Sequence, residues 1–430
     1  MIEPQRPLSV APPRAGLLHR LRLDQVDRLL LLASLGLIGC SVFVLASASR
    51  HEVPGDPFYF ALRQGIYGAI GIALMAAIWR LDYSRLRELR VGIYSAMIGS
   101  IALVFAVGSA VRGSNRWIEL PLLRFQPSEL AKLLLVVSLA AFAYERVRRP
   151  TDLRHTLGLL TLGLAPAALV LLQPDLGTSV VLAAIALAVL FFSLVPWQHF
   201  ALIGTVAALL GAGAVTIGPA VGFDPLHGYQ EERLTAFLHP SDDPRDASYQ
   251  VNQSVIAVGS GEETGRGEDA SQSELLFLPE RHTDFVFAVI GERFGFAGAA
   301  VVLSLYVLLL WRALMVVRGA RSFYGTVIAG GILAMLAFQL VVNVGMSLGL
   351  MPVTGITLPL LSYGGSSVLV TFAALGLLQS IHVQARASDG LASRRSMRAP
   401  RRKRRPRAAA ALSPQFDRPG RRAGASRARI

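Results

Sequence analysis

Charge and sulfur are both scarce in this sequence. Of 430 residues only 16% are charged, two are lysine and one is cysteine. The lone thiol, Cys40, excludes an intramolecular disulfide and any cysteine-built metal cluster. A soluble domain carries about 25% charged residues. Here apolar residues fill the deficit, at 53% of the chain, and the mean hydropathy is +0.50. Charge of negative sign is scarcer still, yet the net +14 does not describe the whole chain. From Arg386 onward fourteen arginines and Lys403 face only Asp389 and Asp417, so the rest is close to neutral. The tail's arginine clusters lack the interleaved aromatics of a nucleic-acid surface, and no nucleic-acid partner is expected. Its Ala, Pro and Ser content predicts a disordered segment drawn to an anionic membrane surface.

What is abundant is apolar runs of spanning length. They fall at roughly 29–48, 58–79, 91–110, 127–144, 156–173, 176–195, 198–218, 285–310, 326–350 and 359–382. Backbone groups in lipid must be satisfied internally, and these runs are too long for barrel strands. The expectation is an all-α polytopic membrane protein of about ten transmembrane helices. A long extracytoplasmic loop, 219–284, joins helices 7 and 8. Residues 1–28 read as a cytoplasmic N-terminal segment, 29–383 as the transmembrane domain, and 384–430 as a basic cytoplasmic tail. No small-residue cleavage site follows the first run, which favours a retained helix.

Cations in the short loops set the orientation. Arg80, Arg85, Arg87 and Arg90, then Arg146, Arg148, Arg149 and Arg154, then Arg312, Arg318 and Arg321 share one side if both termini are cytoplasmic. Loop 111–126 breaks the trend with Arg112, Arg116 and Arg124, which therefore need a reason other than topology.

The long loop has content. Val251 to Val258 reads as a short amphipathic helix at the interface, and Gly259-Ser260-Gly261 and Gly265-Arg266-Gly267 suit tight turns. His227, His239 and His282 with Asp242 and Asp246 match no standard metal spacing and read as solvated residues. The loop closes on Leu278-Pro279-Glu280-Arg281-His282-Thr283-Asp284-Phe285, two acids, a cation and an imidazole at the threshold of a long apolar helix interrupted only by Glu292-Arg293. An Asp at the centre of a span costs about 2.5–3.5 kcal/mol, so Asp284 is expected at the helix mouth, facing a polar cavity. N-capping by Thr283 or Asp284 would account for one acid, but not for Glu280, Arg281 and His282 beside it.

Two other spans open on polar residues. Gln126-Pro127-Ser128-Glu129 leads to Lys132, three residues past Glu129 and thus on the same helix face. A sequence that writes Arg almost everywhere has Lys here, which favours a compact ammonium in a polar cavity over a surface pair. Gln173-Pro174-Asp175-Leu176-Gly177-Thr178 heads another span. In the last third, Asn343-Val344-Gly345-Met346 precedes Pro352-Val353-Thr354-Gly355 and Ser362-Tyr363-Gly364-Gly365-Ser366-Ser367. The prolines and glycines there predict broken backbone at membrane depth, which protein or a wet cavity must cover.

Taken together and in order, Arg116-Trp117-Ile118 with the Glu129/Lys132 helix start, the Gln173–Thr178 segment, Tyr249-Gln250 through Gly261, the Leu278–Phe285 motif and the Pro352–Ser367 stretch resemble the SEDS family (shape, elongation, division, sporulation) of bacterial cell-wall polymerases. The resemblance covers roughly residues 25–385. Within it, Gln272-Ser273-Glu274-Leu275 and the Asn343 to Gly355 pattern are more similar to RodA, the elongation branch, than to FtsW, the division branch. Glu262-Glu263-Thr264 departs from the family's usual Gly and apolar residues.

The resemblance implies a peptidoglycan glycosyltransferase polymerising lipid II, an undecaprenyl-diphosphate-linked disaccharide-pentapeptide, on the outer face of the bacterial cytoplasmic membrane. It implies Asp284 as general base and Arg112, Arg116, Trp117, Glu129, Lys132, Arg281 and His282 as substrate-binding residues. A divalent cation, Mg or Mn, is compatible with diphosphate chemistry, although the sequence specifies no metal site. Implied partners are a class B penicillin-binding transpeptidase and elongation-complex membrane proteins such as MreC and MreD. A lipid II flippase and a non-catalytic transpeptidase scaffold are the competing functions.

Overall fold

A computed structural model describes residues 25–48, 55–107, 109–111, 114–119, 124–145, 152–216, 247–270, 278 and 280–398. In chain order the elements are α1 (Arg28–Ala48), α2 (Tyr59–Ile78), α3 (Arg90–Val107), β1 (Ser109–Val111), β2 (Ser114–Glu119), β3 (Arg124–Phe125), α4 (Pro127–Glu145), α5 (Leu153–Leu171), α6 (Leu176–Phe192), α7 (Trp197–Thr216), α8 (Ala247–Ser260), α9 (Val286–Gly319), α10 (Phe323–Ser347) and α11 (Gly365–Arg398). Among the described residues seven helices are long and apolar enough to cross a membrane; Arg90–Ala106, Leu176–Phe192 and Trp197–Gly213 are shorter apolar helices. The chain is a polytopic helical membrane protein. Each expected span falls on a helix, and α8 extends the interfacial helix read at 251–258.

Local chemistry starts several spans. Asp152 accepts from the Arg154 N–H at 3.0 Å ahead of α5, Asp175 from Thr178 at 3.1 Å ahead of α6, and Ser322 from Gly325 at 3.0 Å ahead of α10. Each side-chain oxygen satisfies one of the orphan donors of a first helical turn.

The structure corrects the sequence reading in several places. The third span stops at Val107, and the chain turns into a small antiparallel sheet of order β1-β2-β3, with Ile118 opposite Phe125 and Glu119 opposite Arg124. The chain remains an all-α membrane protein, with this small three-stranded sheet between α3 and α4. The last helix begins at Gly365 rather than 359 and continues to Arg398, so the first part of the expected disordered tail is helical; residues 399–430 lie outside the described residues. Arg312, taken as a loop cation, lies in α9 and donates twice to the buried carboxylate of Asp27, at 2.9 and 2.6 Å. The Asp27 backbone is in turn held at both N–H and C=O by the Gln379 amide, each at 2.9 Å. Helices α1, α9 and α11 are joined there by one satisfied polar cluster.

Helix α9 is broken at Gly295, whose φ is 62°. The N–H groups freed by the break do not go unpaired. Phe296 donates to the Glu262 carbonyl at 2.9 Å and Ala297 to that of Glu263 at 3.1 Å, while Arg266 N–H donates back to Glu292 at 2.8 Å. The acidic departure Glu262-Glu263 thus acts through its carbonyls, and both side chains are exposed. This docking needs small residues: a Cβ on Gly261 would lie 1.8 Å from the Gly291 oxygen, and one on Gly265 2.2 Å from that of Arg293.

Between α10 and α11 the backbone runs without regular structure among packed helices. Its carbonyls are met by side chains from distant segments: Ser41 donates to Leu361 at 2.6 Å, Gln64 to Ser362 at 3.1 Å, Tyr306 to Pro359 at 2.5 Å and Asn343 to Ile356 at 2.7 Å. Irregular backbone at such depth requires this kind of cover. The segment 352–364 becomes the fixed floor on which the site is built.

Candidate active site

The loop from Glu280 to Phe285 forms by folding three N–H groups onto one carbonyl. Thr283, Asp284 and Phe285 all donate to the Glu280 oxygen, at 3.1, 3.0 and 3.3 Å. The turn forces Glu280 to a φ of 52°, a left-handed conformation that costs a non-glycine residue about 1–2 kcal/mol. Its carboxylate contributes by accepting the Thr283 hydroxyl at 2.9 Å. Strain held this way is a mark of functional segments. The N-cap of α9 is Phe285, with no side-chain capping bond, so neither Thr283 nor Asp284 serves as the cap.

Two ties fix this loop to the floor. The Asn343 amide donates to the Asp284 carbonyl at 2.9 Å as well as to Ile356, and the Tyr363 N–H donates to the His282 carbonyl at 2.9 Å. Arg281 is buried, whereas His282, Thr283 and Asp284 are half-buried. Tyr363 lies outside the spanning helices. Its phenol is pushed up to about 12 by burial, reinforced by Tyr67 and opposed by Arg63, so it stays protonated at physiological pH.

A second polar cluster gathers around Arg116. Arg116 on β2 donates from Nε to the Gln173 carbonyl at 3.2 Å and from a terminal nitrogen to that of Pro174, with its other terminal nitrogen 3.9 Å from Asp175. Asp175 also accepts the Gln126 amide at 3.1 Å, and the Gln126 N–H donates to the Ser366 hydroxyl at 3.1 Å. Helix α6 reaches the floor because residue 177 is glycine: a Cβ there would sit 2.3 Å from the Thr354 oxygen. One turn into α4, the Lys132 ammonium lies 2.7 Å from the Glu129 carboxylate, both side chains less than a tenth exposed.

The structure therefore ties the loop of Arg281, His282 and Asp284 to the floor through Asn343 and Tyr363, while Arg116 is anchored by residues 173–175, next to the Gly177 that packs on Thr354. Glu129 and Lys132 follow directly on Gln126, which shares Asp175 with that arginine. Trp117 lies half-buried on β2 beside it, and Arg112 lies outside the described residues. The guanidinium of Arg116 is committed to residues 173–175, which makes it a pin for the hairpin. Sequence reasoning left out Asn343, Gln126, Asp175 and Ser366 as parts of this constellation. Their signal was polarity inside or at the edge of apolar runs, but which groups they meet depends on contacts dozens of residues away. Among the described residues no three His, Cys, Asp or Glu side chains gather as a metal site requires.

Comparison with known proteins gives this geometry its family. The model of the FtsW/RodA/SpoVE family, described as "Cell cycle protein", matches residues 27–387. A probable peptidoglycan glycosyltransferase FtsW of Thioalkalivibrio sulfidiphilus is 39% identical, covering 86% of this chain and 92% of its own. The peptidoglycan glycosyltransferase MrdB of Escherichia coli K12 is 38% identical over 83% of this chain and 93% of its own. A solved chain from a study of polymerization and crosslinking by a peptidoglycan synthase complex superposes with a TM-score of 0.70 at 33% identity, over 84% of this chain and 98% of its own. With a family model matching residues 27–387 and relatives 38–39% identical over most of the chain, this chain belongs to the FtsW/RodA/SpoVE family, the SEDS proteins.

Proposed function

We propose that this chain is a peptidoglycan glycosyltransferase that polymerises lipid II, with Asp284 as general base. The observation that carries the assignment is the placement of Asp284: a half-exposed carboxylate at the mouth of a broken helix, on a strained turn whose backbone is held from two directions. The acceptor's 4-hydroxyl attacks the anomeric carbon of the donor as the bond to diphosphate breaks, and the hydroxyl proton passes to the carboxylate. The departing diphosphate needs fixed positive charge nearby. Arg281, three residues before the base, is the cation so assigned, with the Glu129–Lys132 pair lining the polar cavity and Arg116 holding the hairpin.

Elongation is the cellular role we assign, on the RodA-like pattern around Asn343 and Gly355. That assignment brings a class B transpeptidase, MreC and MreD as partners, and a bacterial cytoplasmic membrane with both termini inside. A division role is the second reading, favoured by the equally similar FtsW relative. Depletion in the source organism separates them: loss of rod shape supports elongation, and rod-shaped filaments would move the chain to division.

For the chemistry, purified full-length protein and labelled lipid II are sufficient. Asp284→Asn keeps the shape of the side chain and removes the base, and glycan formation should fall by at least about 10²-fold. A yield within a few-fold of the parent would overturn the assignment. Lipid translocation without polymer would instead favour a flippase.

A further inference from the structure

A cluster of rings beside Asp284 is not used by the mechanism above. Phe60 on α2, His282 on the catalytic loop and Tyr363 on the floor segment contact one another pairwise, with centroids 4.7 Å (Phe60–His282), 4.9 Å (Phe60–Tyr363) and 5.9 Å (His282–Tyr363) apart. All three are half-buried, so each keeps part of its surface open, while Tyr67 beneath Tyr363 is buried. At the rim, Arg63 is exposed, and the Tyr59 ring sets its position: the guanidinium lies 4.3 Å from the ring centre.

Packing alone does not call for this arrangement. Aromatic surface left partly open next to a cation held in place is the chemistry of a site for a ring with polarised C–H groups and an anionic substituent. His282 is two residues from Asp284, so their Cα atoms lie no more than about 7.6 Å apart. A hexose resting on the rings would have its hydroxyls within reach of that carboxylate.

Building on the glycosyltransferase reading, we propose that Phe60, His282, Tyr363 and Arg63 form a saccharide subsite. The apolar face of a substrate hexose stacks on the aromatic patch, and Arg63 takes an anionic group of the same substrate. That group is a stem-peptide carboxylate or the diphosphate, and the two are distinguished by experiment.

The test is steady-state polymerisation by the full-length protein, with KM and kcat for lipid II measured separately. Phe60→Ala should raise KM about tenfold with kcat within about threefold, and Phe60→Trp should restore KM. Arg63→Gln should raise KM as well. If that effect vanishes with lipid II amidated at its stem-peptide carboxylates, the carboxylate is the partner; if it persists, the diphosphate is. Thermal unfolding in detergent checks that the variants fold. An unchanged KM in both variants overturns the subsite, as does a loss confined to kcat in Phe60→Ala, because Phe60 would then act only by packing the catalytic loop. Binding of a soluble uncrosslinked glycan fragment to Asp284→Asn protein gives an arm independent of turnover: it should weaken when Phe60→Ala is added, and equal binding refutes the subsite. Wild-type protein that makes no glycan while still binding the fragment would sink the polymerase reading and leave the subsite standing.

Discussion

Removing either member of the Glu129–Lys132 pair should destabilise the protein, and removing both should not. The groups are 2.7 Å apart with side chains 8% and 4% exposed. At an effective dielectric of about 20, two charges at that separation attract by about 6 kcal/mol before desolvation is subtracted. Desolvation consumes much of that gain, so the pair itself contributes little net stability. Breaking it leaves one buried charge without its partner, at a cost of about 3–5 kcal/mol. Lys132→Met and Glu129→Leu should each lose stability on that scale. The double variant should return to within about 1–2 kcal/mol of the parent, since apolar residues of similar volume often replace a buried pair without loss. Thermal or denaturant unfolding in detergent measures this, and lipid II polymerisation is assayed on the same samples. The polar-cavity role predicts a stable but inactive double variant. Wild-type activity in that variant would refute the role, and undiminished stability in the single variants would refute the burial argument. Lys132→Arg belongs in the series: the planar guanidinium does not match a site closed around an ammonium, and its activity should fall well below that of the parent.

Other parts of the fold give sharper local tests. Glu262 has a φ of 47° and an exposed side chain, so Glu262→Gly should be neutral to about 1 kcal/mol stabilising, whereas β-branched Glu262→Val should destabilise; the reverse order in unfolding midpoints would count against the turn geometry. Gly177→Ala would bring a methyl carbon to 2.3 Å from the Thr354 oxygen, and should cost about 1–3 kcal/mol together with most of the polymerase activity; an active, stable variant would show that α6 does not hold the floor. Asp27→Ala leaves Arg312 without its carboxylate at a site joining α1, α9 and α11. It should cost about 3–5 kcal/mol while leaving KM for lipid II unchanged in the folded fraction, and a raised KM would link that end of the bundle to the site.

The order and type of the helices were legible in the sequence because the apolar runs must satisfy their own backbone in lipid. Asp284, Glu129 and Lys132 were legible for a related reason: ionisable groups at apolar thresholds are costly enough to imply a use. Periodicity carries no such cost signal for a break or a contact. The interruption of α9 at Gly295 is stable because Glu262 and Glu263 supply carbonyls from about thirty residues earlier. Hydropathy counted 359–364 into the last span, yet Ser41, Gln64, Tyr306 and Asn343 hold the segment ending at Tyr363 in an irregular path. Arg312 reads in the sequence as one more loop cation, yet it lies in α9 and pairs with the buried Asp27. In each case a backbone or charged group is satisfied by a partner far away in the chain. Only the tertiary structure could decide where Asp284 is held, because the turn on the Glu280 carbonyl shapes its loop locally but Asn343 and the floor segment fix where that loop sits.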